Sequence, residues 1–276
     1  MTSDPESSVS RVRSRDGTEI GYWTSGHGAP LVLVHGTPAD HTRWRPLLPY
    51  LEPAFTVHAI DRRGRGASGD SPRYALEREF EDVVAVIEAV ASASGSTVNL
   101  YGHSHGGIVA FGAAMLTANL RSLVLYEGWP VPDPTVFALP SGLESRLDAL
   151  LGAGERDAVV ELLFRELEQM SDEDMAVFKS APSWPGRVAA AHTITREIRG
   201  ELTARLDPAR ARNITVPVLL VTGEHSSDPS KRDVSVVAAA LPDARVLVLD
   251  GQEHVADVLA PEHFAVRVVP FLQSTA

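Results

Sequence analysis

The chain has 276 residues, of which 44% are hydrophobic, enough for a large core in one α/β domain carrying an insertion. Lys and Arg total 25 against 36 Asp and Glu, a net charge of −11, which argues against nucleic acid or an anionic membrane as the main partner. Cysteine is absent, which removes disulfides, thiolate chemistry and cysteine-ligated zinc.

The N-terminal stretch, residues 1–8, is polar and has no apolar signal core, so a disordered tail is expected there. No apolar run approaches the roughly 20 residues of a membrane span. These features predict a soluble, cytoplasmic protein. Val9–Arg15 and Thr18–Thr24 flank Asp16-Gly17, a hairpin turn signal. Pro30–Val34 is a continuous apolar run ending in His35-Gly36-Thr37-Pro38, as expected of a strand buried on both faces of a parallel sheet. Phe55–Ile60 is similar and ends at Asp61. Apolar residues at helical spacing (Leu76, Phe80, Val83, Val84, Ile87, Val90) predict a helix over 75–93. Thr97–Tyr101 and Leu123–Tyr126 read as strands on either side of a small-residue helix, Gly106–Leu116. Val216–Thr222 and Arg245–Leu249 are further strands, separated by a helix over about 231–240, and a last helix runs from Pro261 toward Leu272. The alternation predicts a mostly parallel, doubly wound sheet.

One segment breaks the alternation. Beyond the proline-rich run Pro130–Pro134, no strand is expected as far as Asp207, and Arg156–Gln169 and Arg187–Arg199 read as helices. The predicted organisation is a tail (1–8), a first core part (9–130), a helical cap (131–207) and a second core part (208–276). Trp129 and Trp184, which flank prolines at the edges of this segment, are candidate substrate-pocket aromatics. Phe137, Phe164, Met170 and Phe178 are expected mainly to pack the segment's helices together.

Gly102-His103-Ser104-His105-Gly106 lies between a predicted strand and a predicted helix. A serine on such a sharp turn is pushed out at the top of the sheet, beside a helix N-terminus, and glycines let the backbone fold tightly past it. Ser104 is therefore the candidate nucleophile. Its hydroxyl needs a base, and His254, in the loop between the last strand and the last helix, is the candidate. His103, His105 and His35 have no carboxylate at ligand spacing, so no metal is expected.

With these residues in place, the chain resembles the α/β-hydrolase fold in its cap-bearing branch, over essentially everything from Val9 onward. The motifs are His35–Pro38, similar to the oxyanion loop; Asp61–Gly69, similar to the turn after the fourth strand; Gly102–Gly106, similar to the nucleophile elbow; and Gly251-Gln252-Glu253-His254, similar to the loop that delivers the histidine. The resemblance implies an oxyanion hole made by the backbone N–H groups of Thr37 and His105, with their side chains free to line the pocket. It also implies that His35 is structural and that no cofactor is used. The Arg62, Arg63, Arg65 cluster is expected to belong to a turn, with its charges solvated or paired.

The acid departs from the family's usual pattern, a Gly-x-x-Asp after the seventh strand. Here that stretch is Gly223-Glu224-His225-Ser226, with Asp228 two residues late. Glu127 ends the preceding strand, where certain haloalkane dehalogenases and zearalenone-type lactonases carry their acid. Glu127 is the favoured acid and Asp228 the alternative.

The expected function is hydrolysis of a carboxylic ester, lactone or thioester of a small apolar molecule through an acyl-enzyme. Carbon–carbon bond hydrolysis, perhydrolysis, biosynthetic acyl transfer and a ligand-binding receptor of the same fold remain alternatives. Epoxide hydrolases and haloalkane dehalogenases use an aspartate nucleophile, whereas position 104 is serine. Tyrosines occur only at 22, 50, 74, 101 and 126, so the cap has none to activate an epoxide.

Overall fold

The computed structural model describes residues 8–133 and 139–274, without the side chains of Asp228 and Pro229. The expected N-terminal tail lies outside these residues except for Ser8, which instead opens the first strand; Phe137 also lies outside them. Strands β1 (Ser8–Arg13) and β2 (Glu19–Gly26) form the hairpin, with Gly17 at φ 88° in its turn. β3 (Ala29–Val34) leads through a 3₁₀ turn (His41–Trp44) and the short helix α1 (Leu48–Leu51) to β4 (Phe55–Ile60). The long helix α2 (Leu76–Ser94) ends at Gly95, which takes the left-handed conformation that commonly closes a helix. Then come β5 (Val98–His103), α3 (His105–Ala114) and β6 (Leu120–Tyr126).

Among the described residues between β6 and the next strand lie only helices and one isolated bridge. The helices are α4 (Leu143–Gly152), α5 (Arg156–Leu167), α6 (Asp172–Ser180), α7 (Trp184–Ala189), α8 (Ile194–Thr203) and α9 (Pro208–Ala211). The core resumes with β7 (Val218–Gly223), α10 (Asp228–Ala240) and β8 (Ala244–Leu249), and closes with α11 (Ala256–Leu259) and α12 (Pro261–Ser274). No helix among the described residues is long and apolar enough to cross a membrane.

The sheet order is β1-β2-β4-β3-β5-β6-β7-β8, antiparallel across β1-β2-β4 and parallel from there on. The central strands are buried on both faces, which explains their unbroken apolar runs. One face packs on α2, α3 and α10 through residues such as Val86, Phe111 and Val237. The other packs on α1 and α12 through Leu51, Phe264 and Leu272. A third apolar cluster, including Leu147, Leu163, Phe178 and Ile194, belongs to the helices between β6 and β7. Val131 and Arg205 form a parallel bridge, so the two ends of this insertion meet at its root.

The insertion is tied to the core by buried charge. The arginines of the turn after β4 are paired but, contrary to a solvated turn, they are buried. Arg63 donates to Asp82 at 2.7 Å and to Asp16 at 3.0 Å. Arg62 donates to Glu197 of α8 at 2.6 Å, and Arg65 pairs with the other oxygen of the same carboxylate. Arg65 also donates to Thr193 at 2.6 Å. This contact accounts for a correction: Arg187–Arg199 is not one helix but α7 and α8 joined through a 3₁₀ turn, Ala191–Thr193, which brings the Thr193 hydroxyl to Arg65.

Removing one member of a buried ionic group leaves the others desolvated and unpaired, at a cost of about 3–5 kcal/mol. Glu197→Gln should therefore destabilise the protein by that amount in urea titrations followed by tryptophan fluorescence. A loss under about 1 kcal/mol, the size typical of a surface pair, would mean that this carboxylate does not hold the insertion.

Candidate active site

Ser104 stands between β5 and α3 with φ 55° and ψ −131°, a strained conformation for a residue with a side chain. The flanking glycines allow it. A Cβ on Gly102 would lie 2.4 Å from the carbonyl of Gly106, and one on Gly106 would lie 2.2 Å from the carbonyl of Val34. The Ser104 N–H is held by the Tyr126 carbonyl at 2.9 Å. His105, the first residue of α3, has a backbone N–H with no intrahelical partner. That N–H and the N–H of Thr37 have no acceptor among the described residues, so both are open donors next to the serine.

The side chains of these two residues are not free to line a pocket, contrary to expectation. Thr37 Oγ1 donates to Glu197, and the His105 ring lies between Glu201 at 2.7 Å and Glu79 at 3.3 Å. Glu79 also receives Arg62 at 3.2 Å and the Tyr74 hydroxyl at 2.8 Å. The charge network that anchors the insertion therefore also grips both candidate oxyanion residues. His35 is structural in its bonding. Its Nδ1–H donates to the Gly36 carbonyl at 2.9 Å, and its Nε2 accepts the Arg62 N–H at 3.3 Å. Burial, with Arg62 and Arg65 nearby, keeps the ring neutral.

The carboxylate that meets His254 is that of Glu127, whose Oε2 accepts Nδ1–H at 2.9 Å. Its other oxygen accepts the Gly223 N–H at 2.8 Å, the Thr222 hydroxyl at 3.0 Å and the Ser226 hydroxyl. Burial alone would raise the Glu127 carboxyl, but His254, Ser226 and Gly223 outweigh it and hold the group below its ordinary value. Glu127 itself has φ 42°, a second strained residue at the end of a strand. Asp228 is the first residue of α10. Trp129 packs in the core cluster shared with residues of α2 and α3; Trp184 packs in the insertion's own cluster, with its indole N–H on Asp157 at 2.7 Å.

Several residues that hold His254 and its loop were not singled out for that role from sequence. His103 donates Nε2–H to the His254 carbonyl at 2.7 Å, and burial keeps its ring neutral. Tyr126 donates its hydroxyl to the Glu253 carbonyl and accepts the Ala256 N–H at 3.1 Å. Asp257 receives a two-pronged Arg43 at 2.8 and 3.0 Å and the Tyr101 hydroxyl at 2.8 Å. Tyr101 and Tyr126 end stretches that read as apolar strands, and His103, which read as part of the turn, lies in β5, so nothing local marks the three as supports of a loop far along the chain. His103 and His105 serve different partners, and no group of three His, Asp or Glu residues among the described ones is placed to hold a metal.

Glu168, just past α5, brings Oε1 to 3.8 Å from Nε2 of His254. Burial alone would lower the His254 pKa; Glu168 and Glu127 more than reverse this and raise it to about 9. Crowding by the protein raises the Glu168 carboxyl, although 32% of the side chain reaches solvent. A groove of about 360 Å³ opens on this side of His254, between Glu168, Gln169 and Met170 of the insertion and Gln252 and Val255 of the core.

Residues 31–268 match the model of the alpha/beta hydrolase family. The structure of an alpha/beta hydrolase from Sphaerobacter thermophilus DSM 20745 is 34% identical, with a TM-score of 0.80 over 95% of this chain and 100% of that one. A 2-(acetamidomethylene)succinate hydrolase of Mesorhizobium japonicum is 26% identical over 268 residues, 90% of each chain. A pimeloyl-(acyl-carrier protein) methyl ester esterase of Yersinia pseudotuberculosis is 26% identical over 265 residues, 91% of this chain and 97% of that one.

Glu127→Gln should lower kcat on a test ester by up to roughly 10⁴-fold, because an amide neither fixes the imidazole tautomer nor stabilises the imidazolium. Asp228→Asn should cost little under the same conditions; the reverse ranking would move the acid to the loop after β7. Only the neutral imidazole accepts a proton, and His254 is raised, so kcat/KM should climb with pH until about 9. Glu168→Gln removes a negative charge beside Nε2 and should move that acid limb to lower pH. An unmoved limb would dissociate Glu168 from the base.

Proposed function

Because the chain belongs to the alpha/beta hydrolase family, we propose that it is a serine hydrolase that cleaves a carboxylic ester, lactone or thioester of a small molecule through an acyl-enzyme. The observation that carries this reading is the 2.9 Å contact between Glu127 and Nδ1 of His254, which leaves Nε2 as the nitrogen for the serine proton. In this reading Ser104 Oγ attacks the acyl carbon while His254 Nε2 takes its proton, and the imidazolium is stabilised by Glu127. The oxyanion accepts the backbone N–H groups of Thr37 and His105, each worth about 3–4 kcal/mol in such sites. His254 then protonates the departing oxygen or sulfur. A water, deprotonated by the same nitrogen, releases the acid and restores Ser104. The helical insertion acts as the cap that closes over the acyl group. The ester reading is supported by the relative named a pimeloyl-(acyl-carrier protein) methyl ester esterase; the relative named a 2-(acetamidomethylene)succinate hydrolase is the reason to test other bond types beside it.

A fluorophosphonate should label the protein once, at Ser104, as located by peptide mass spectrometry, and Ser104→Ala should be unlabelled while folding normally. Turnover on a panel of p-nitrophenyl esters, lactones and anilides then ranks the bond types. Labelling at another residue, or Ser104→Ala retaining more than about a tenth of kcat/KM, would remove Ser104 as nucleophile, since loss of such a serine costs several orders of magnitude.

A further inference from the structure

The buried arginines among the described residues are Arg43, Arg62, Arg63, Arg65 and Arg187. Arg43 has Asp257, Arg62 has Glu79 and Glu197, Arg63 has Asp16 and Asp82, and Arg65 has Glu197. Arg187 is different. It is 4% exposed, yet no carboxylate among the described residues lies within ion-pair distance. Among the described residues its side chain makes one hydrogen bond, from Nη1 to the Pro38 carbonyl at 2.8 Å; its Nε has no partner, as for Arg62 and Arg65, but those two have carboxylates. The guanidinium carbon lies 5.4 Å from the centre of the Phe164 ring and 5.0 Å from that of Phe178. Such contacts offset only part of what desolvating a cation costs.

Two acids lie near without pairing with it: Asp40 caps the 3₁₀ turn through its Oδ1, and Asp257 is taken by Arg43 and Tyr101, and their negative charges offset only part of the cost of burying the guanidinium. Burial pulls the Arg187 guanidinium down to about 9, and the positive charge of Arg43 adds to this.

The position of this cation is informative. Arg187 projects from α7 of the insertion onto the Pro38 carbonyl, two residues beyond Gly36, where an added Cβ would lie 2.8 Å from the Ser104 Cβ. A planar fork with unused donors, held in an apolar aromatic setting, matches a carboxylate far better than a neutral group.

We infer that Arg187 is the anchor for a free carboxylate on the substrate, so that the ester taken is a half-ester of a dicarboxylic acid rather than a wholly apolar one. The inference rests on the reading of Ser104 as the nucleophile. The carboxylate completes the charge pairing of Arg187, and its distance from the acyl carbon fixes which chain length is accepted.

Two measurements test this. The first compares mono-p-nitrophenyl succinate, glutarate and adipate with p-nitrophenyl butyrate. The wild type should prefer one half-ester in kcat/KM. Arg187→Met should lose at least about tenfold more on that half-ester than on butyrate, the scale of one charge-assisted hydrogen bond. Arg187→Lys should keep part of the preference. No preference in the wild type, or equal losses on both substrate classes in Arg187→Met, would overturn the proposal and leave Arg187 as a tie between the insertion and the oxyanion loop.

The second measurement needs no turnover. Succinate, glutarate and adipate are titrated calorimetrically into Ser104→Ala with and without Arg187→Met. At least one diacid should bind, and its affinity should fall about tenfold or more without the arginine. No binding, or binding that ignores Arg187, would sink the carboxylate site. Arg187-dependent binding in a protein that no fluorophosphonate labels would instead sink the serine-hydrolase reading and leave the anion site standing.

Discussion

The Glu197 carboxylate, fully buried and shared by two arginines and a threonine, is the contact on which the rest of the molecule depends. Buried ion pairs add little net stability compared with apolar packing, but they are unforgiving of misplacement. An insertion held by van der Waals contact alone could slide on the core. One held by Arg62 and Arg65 has a single register. Thr37 hangs on the same carboxylate, and Glu79 links Arg62 to His105, so the positions of both open N–H groups are set by the docking of the insertion. Donors fixed in advance in this way need no reorganisation when charge develops on a bound oxygen.

Glu127, the carboxylate that meets His254, follows a related logic. Moving the carboxylate from the β7 loop to the end of β6 does not make the β7 loop idle. Thr222, Gly223 and Ser226 turn their donors on Glu127, so the loop that supplies a carboxylate elsewhere in the fold here supplies hydrogen bonds to one. Those donors keep a buried glutamate ionised despite its surroundings. They also offset the strain of a non-glycine residue at positive φ.

The sheet was legible because a strand buried on both faces has little choice of residue. Pro30–Val34 could hardly be anything else, and the structure has a strand there; Phe55–Ile60, half-buried at Thr56 and His58, is a strand as well. The elbow was legible because only glycine fits at 102 and 106. Glu127 was legible through a gap, since Ser226 stood where a carboxylate was expected. What could not be read were the partners. Arg62, Arg63 and Arg65 signalled a turn, and nothing in their spacing indicated that an acid on α8 would bury them. The periodicity over Arg187–Arg199 suggested one helix, and a tertiary contact from Thr193 to Arg65 broke it. Tyr126 read as the end of a buried strand and His103 as part of the turn around Ser104, and nothing in either showed that its polar end reaches the loop bearing His254.

The bridge between Val131 and Arg205 closes the insertion at its root, with Val131 N–H on the Ala204 carbonyl at 3.0 Å and Leu206 N–H on the Val131 carbonyl at 3.1 Å. Because the two ends are already adjacent, the core sees this segment as a loop whose closure entropy hardly depends on what fills it. It is therefore an exchangeable cassette. A chimera joined at 131 and 205 keeps Glu127, Ser226 and His254 with the recipient core. It also removes Glu197, so a donor cassette succeeds only if it brings its own carboxylate down onto Arg62 and Arg65.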